Sequence, residues 1–95
     1  MQINYSSDAF AALTGIVNFV ESKNTRGAGL RWFNRYEKFI EKSLIKPDVI
    51  NYCNNKTFYE LKLRCINFND WVIAFSVGKN NIFIEAILHS SLLTD

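Results

Sequence analysis

The chain has 95 residues, 48% of them hydrophobic and 15% aromatic, and a net charge of +2 at pH 7. This describes one domain, residues 1–95, able to bury a real core, with no room for a second and no apolar run near the ~20 residues a membrane span needs. So small a charge makes no case for nucleic acid by itself. The start, MQINYSSD, lacks the basic residues and apolar middle of a secretory leader, so a cytoplasmic location is expected.

In chain order, Gln2 to Tyr5 reads as a short strand. Ser6-Ser7-Asp8 then offers side-chain oxygens to the free N–H groups of a first helical turn. The helix runs to about Ser22. Ala9, Leu13, Ile16, Val17 and Val20 fall on one side at 3.6-residue spacing, with Phe10 and Phe19 at its edges and Thr14, Asn18 and Glu21 opposite. A second helix is predicted from about Arg26 to Ile45. Trp32, Phe33, Tyr36, Ile40 and Leu44 make its buried face, with Leu30 and Phe39 flanking. Gly15, Gly27 and Gly29 suggest close approach between the two helices, which then form an antiparallel hairpin. Pro47 stops the second helix, because the residue before proline disfavours α geometry.

Asp48 to Thr57 is a connector. Phe58 to Ile66 is predicted as a strand, Tyr59, Leu61, Leu63 and Cys65 alternating with Glu60, Lys62 and Arg64. A hairpin follows. Trp71, Ile73, Phe75 and Val77 form one row of its first strand, and Ile82, Ile84, Ala86 and Leu88 one row of its second. Strand side chains point to opposite faces with a period of two, so these apolar rows are expected in the core. Gly78 and the asparagines after it tolerate the positive φ a short loop can require. Cys53 and Cys65 have no metal-like spacing and are expected as reduced thiols.

The predicted architecture is α+β, a two-layer sandwich of order β-α-α-β-β-β. An antiparallel sheet carries the N-terminal helical hairpin on one face, and the first strand joins an edge. The other face would display Glu60, Lys62, Arg64, Val72, Ala74, Ser76, Phe83, Glu85, Ile87 and His89. It mixes charge with apolar surface and has no segment left to cover it, so it is the expected partner-binding face.

The helix start Ser-Ser-Asp-Ala, the Trp/Phe-rich second helix, and the runs YELKLRC, DWVIAFSV and IFIEAILHSSLL, in this order, resemble the RelE/ParE superfamily of toxins from type II toxin–antitoxin systems. The resemblance covers nearly the whole chain. It implies a small toxin silenced by a cognate antitoxin that folds onto it. RelE-like members cut messenger RNA in the ribosome, and ParE-like members poison DNA gyrase.

RNA cleavage needs a base for the 2′-OH, an acid for the leaving oxygen and cations on the phosphate. The RelE-like pattern implies two lysines on the strand matching Tyr59–Arg64, an arginine early in the next strand, and an arginine and a tyrosine at the end. Here the first lysine position is Glu60 and only Lys62 is kept. The next-strand arginine position is Val72, the last falls near Ser91, and the tail has no tyrosine. The resemblance therefore leans to a ParE-like toxin that acts by binding, with gyrase as the implied target. A ribosome-associated nuclease built on His89, with Lys62, Arg64 and Glu85, is the alternative. A member that only binds its antitoxin is a third. For His89 the favoured reading is a strand-end residue holding the tail by a hydrogen bond.

The basic stripe Arg31, Arg35, Lys38, Lys42 and Lys46 shares its helix with Glu37 and Glu41, which favours a solvated face over a nucleic-acid footprint. No Gly-rich phosphate loop, catalytic carboxylate pair or metal-ligand cluster is seen, so neither cofactor nor metal is expected.

Overall fold

The computed structural model describes residues 2–93; the end of the predicted tail, Thr94-Asp95, lies outside them. The fold is α+β. Strand β1 (Gln2–Tyr5) leads into helices α1 (Ser7–Lys23) and α2 (Ala28–Ser43). A short helix α3 (Lys56–Glu60) and strands β2 (Arg64–Phe68), β3 (Trp71–Val77) and β4 (Asn81–His89) follow. The sheet order is β1-β4-β3-β2. The last three strands are an antiparallel meander, and β1 adds a parallel edge on β4.

Local chemistry explains most boundaries. Ser6 caps α1, its Oγ accepting from the Ala9 N–H at 3.0 Å. Glu21 closes the turn between the helices: the backbone N–H groups of Gly27 and Gly29 both donate to its carboxylate at 2.9 Å. Those two bonds hold the Glu21 carboxyl below its ordinary range, with the Arg31 charge adding a smaller pull. Gly27 enters α2 with φ 87°, a left-handed geometry glycine adopts freely. Gly29 touches α1 so closely that a Cβ would stand 2.7 Å from the Val17 carbonyl oxygen. Gly15, by contrast, has open space around it and brings no helix closer.

The main core lies between the helices and one sheet face. Leu13, Ile16, Trp32, Tyr36 and Ile40 pack on Ile73, Phe75, Ile82, Ile84 and Ile87. Phe68 of β2 is gripped by α2, its ring 5.5 Å from Trp32 and 5.1 Å from Phe39. The β3–β4 turn needs no positive φ; Gly78 serves there because a Cβ would collide with the Asn81 side chain. The left-handed residue is instead Asn69, φ 55°, in the two-residue β2–β3 turn.

Three expectations are corrected. First, the predicted strand Phe58 to Ile66 begins only at Arg64. Asn55 caps a helix there, accepting from the Phe58 N–H at 3.1 Å. The helix ends when Leu63 N–H donates to the Phe58 carbonyl and Lys62 N–H to the Tyr59 carbonyl, with Lys62 left-handed at φ 59°. That paired ending is a standard way to satisfy the last carbonyls of a helix. Second, the cysteines are not free: Cys53 and Cys65 are bridged.

Third, the alternation of β4 breaks. Phe75 pairs with Ile84 but Ala74 pairs with Ala86, so Glu85 is the extra residue of a β-bulge. Every side chain after it changes face. Ile87 and His89 turn to the helices, and Ala86 and Leu88 turn away, the reverse of the strict-alternation reading. Ser6 takes up the carbonyls left at the break: its N–H donates to Ile84 at 2.9 Å and its hydroxyl to Glu85 at 2.8 Å. One serine thereby starts α1 and fixes the bulge.

Candidate functional site

The residues predicted to share one open sheet face do not all share it, and that face is not open. The segment after α2 folds back across that face, where Cys53, Leu63 and Phe58 cover Ala74 and Ala86 in a second small core. Ala74 is fully buried and Val72 nearly so. Ser76 and Phe83 remain a half-buried pair on this side. Glu60 ends α3 on the surface, and Lys62 sits on the turn that closes it. Arg64 pairs with Phe75 and so belongs to the helix-side row; its guanidinium lies 4.4 Å from the Tyr52 ring centroid and donates to the Ile50 carbonyl.

The nuclease alternative needs His89, Lys62, Arg64 and Glu85 together. Arg64 stands opposite Phe75, and His89 opposite Trp71, four residues further along β3. At ~3.3 Å per residue that is about 13 Å along the strands alone. Glu85 is four residues from His89 on β4 itself. His89 has another task. Its Nδ1 accepts from the Ser91 N–H at 3.2 Å and lies 2.8 Å from the Ser91 hydroxyl, which caps the short turn Ser90–Leu92. Its ring meets Trp71 edge-on at 5.2 Å. The register therefore sets His89 apart from both Arg64 and Glu85 along the sheet. Among the described residues, no group of three or more His, Cys, Asp or Glu side chains could hold a metal ion.

The structure offers a different surface. Where α1 and α2 lie side by side, a groove of 410 Å³ opens along the outside of the helical hairpin. Phe10, Leu13 and Val17 line it from α1, Leu30 and Phe33 from α2, with Tyr5 at one end. Among the described residues, Thr14 and Glu37 are its polar or charged lining besides the Tyr5 hydroxyl. Leu13 is buried and forms the floor, whereas Phe10 is 62% and Leu30 63% exposed and form rims. The Tyr5 and Tyr36 hydroxyls are 2.9 Å apart, and burial pushes both phenols above their ordinary range, so neither carries charge at neutral pH.

Sequence reasoning put Phe10 and Leu30 at the margins of the helix faces and missed the groove between them. The signal was present: α1 repeats large side chains at Phe10, Leu13 and Val17, and α2 at Leu30 and Phe33, wider stripes than contact with one sheet requires. The basic stripe of α2, Arg31 to Lys42, with Lys46 beyond it, is exposed to solvent. Among the described residues no helix is long and apolar enough to cross a membrane. Neither a protein-family model nor a curated protein matches this chain.

Proposed function

We propose that the chain is a ParE-like toxin that acts by binding another protein, with DNA gyrase as the target that the resemblance implies, and that a cognate antitoxin neutralises it. The observation that carries the reading is the groove on the helical hairpin. It is apolar, preformed and rimmed by exposed Phe10 and Leu30, a shape suited to the apolar face of an amphipathic helix. The element order agrees with the family pattern, and the dispersal of His89, Lys62, Arg64 and Glu85 supports binding over RNA cleavage. The antitoxin segment, disordered alone, would fold into the groove rather than onto the sheet face, which residues 53–63 already cover. The reading places the protein in the cytoplasm, where a disulfide would be exposed to reducing thiols.

The test is expression of the chain in growing bacteria without antitoxin, scoring chromosome integrity and messenger RNA ends in one culture. A DNA-damage response with intact messages is expected. Messages cut within codons beside intact chromosomes would overturn the binding reading. Normal growth with folded protein present would reduce the chain to an antitoxin binder.

A further inference from the structure

The two cysteines of the Cys53–Cys65 bridge stand in unlike surroundings. Cys53 is 2% exposed, packed with Leu63 and Ala74. Cys65 is half-buried on β2 and lines an open cavity of 410 Å³, with Asn54, Asn55, Asn67, Val72 and Leu93. Cys53 does not line it. Among the described residues the cavity wall carries no charged side chain, and Asn54 and Asn67 offer hydrogen-bonding groups to a peptide-like molecule. A thiol arriving from solvent therefore meets Cys65 first.

We propose that Cys53–Cys65 is a reversible thiol–disulfide couple, opened at Cys65 by a small peptide thiol of the glutathione class, that controls how firmly residues 51–63 cover the second sheet face. A thiolate RS⁻ attacks the Cys65 Sγ. The bond to Cys53 breaks, and Cys53 leaves as a thiolate and takes a proton. A second thiolate then attacks the mixed disulfide on Cys65 and releases RSSR, leaving Cys65 as a thiol. The sum is one protein disulfide and two RSH giving two protein thiols and one RSSR.

Opening the bridge removes the one covalent tie between this cover and the sheet. What remains includes the Cys65 N–H bond to the Asn51 carbonyl at 3.4 Å, the stack and hydrogen bond of Arg64 with Tyr52, and a core of few residues. The main core between helices and sheet contains neither cysteine. Reduction should therefore loosen the cover and spare the rest. This inference rests on the geometry of the bridge alone and stands or falls independently of the toxin reading.

The experiment uses the full chain in glutathione buffers of graded ratio, quenched with acid, alkylated and mapped by mass, with hydrogen exchange in parallel. The expected result is a ratio-dependent passage from no labelled cysteine to two, a trapped glutathione adduct on Cys65, and exchange in residues 51–63 faster by roughly tenfold or more while α1 and β3 keep their protection. An adduct on Cys53, a bridge that reduces only in denaturant, or unchanged exchange in 51–63 would overturn it. Single variants give a second reading: Cys65 in Cys53→Ala should take up glutathione from its disulfide roughly tenfold faster than Cys53 in Cys65→Ala. Equal or reversed rates would overturn the assignment of the attacked sulfur.

Discussion

Ile87 stands opposite Ile73 with both side chains turned to the helices, because Glu85 is the extra residue of a bulge in β4. The bulge decides which side of the sheet each late residue of β4 serves. It places Ile87 in the main core and His89 beside Trp71, where it caps the tail instead of facing open solvent with Glu85.

This gives a test of the bulge by stability. Ile87 is 3% exposed, and Ile87→Ala should cost about 2–5 kcal/mol, as for other buried aliphatic truncations. Leu88 is only half-buried on the far face, and Leu88→Ala should cost less than about 2 kcal/mol. Strict alternation from Ile82 predicts the opposite order. Urea denaturation of the two variants checks it.

The glycines of the helical hairpin should respond with opposite signs. A Cβ at Gly29 meets backbone, the Val17 carbonyl, at 2.7 Å, so α1 and α2 must separate; Gly29→Ala should destabilise by about 1–3 kcal/mol. Gly15 lies mid-helix with open space around it, and Gly15→Ala should stabilise by up to about 1 kcal/mol. Thermal melts of the pair separate the two cases.

Glu21 predicts an acid sensitivity. Its carboxylate accepts from Gly27 and Gly29, and its folded pKa lies below the ordinary value of 4.5. A depressed folded pKa means the stabilisation is fully present above the unfolded pKa and is lost as pH falls through the folded one. The wild type should therefore lose stability relative to Glu21→Gln as pH drops below 4.5, while at pH 7 the variant should be the less stable of the two. Denaturation midpoints at pH 7 and at pH 3 measure both halves.

The groove predicts a separation of binding from folding. Phe10→Glu and Leu30→Glu alter residues already more than 60% exposed, so each should change stability by no more than about 0.5 kcal/mol. Both should weaken binding of an apolar dye such as ANS and, on the proposed toxin reading, neutralisation by an antitoxin. His89→Ala, which alters the tail cap but not the groove, should leave dye binding and growth inhibition in place. Loss of growth inhibition in a folded His89→Ala protein would return the nuclease reading.

What the sequence determined by itself were the features set by nearest neighbours along the chain. The serine cap of α1, the apolar stripes of both helices and the two strands after Asp70 all follow from spacing and local chemistry, whereas α2 ends at Ser43, before Pro47 is reached. With them came the α+β class and the order of the longer elements, β-α-α-β-β-β, to which the structure adds the short α3. What only the tertiary structure decided were features whose cause lies far away in sequence. The bulge at Glu85 is held by Ser6, 79 residues earlier, so β4 alone shows unbroken alternation. The alternation from Tyr59 to Cys65 reads as a strand, but the Asn55 cap starts a helix at residues 56–60, on the segment that the Cys53–Cys65 bridge ties over the second sheet face. The open face expected from counting segments is closed by that same stretch. The groove exists because α1 and α2 meet closely at Gly29 and leave Phe10 and Leu30 as rims, a matter of two helices' relative placement that neither helix encodes alone.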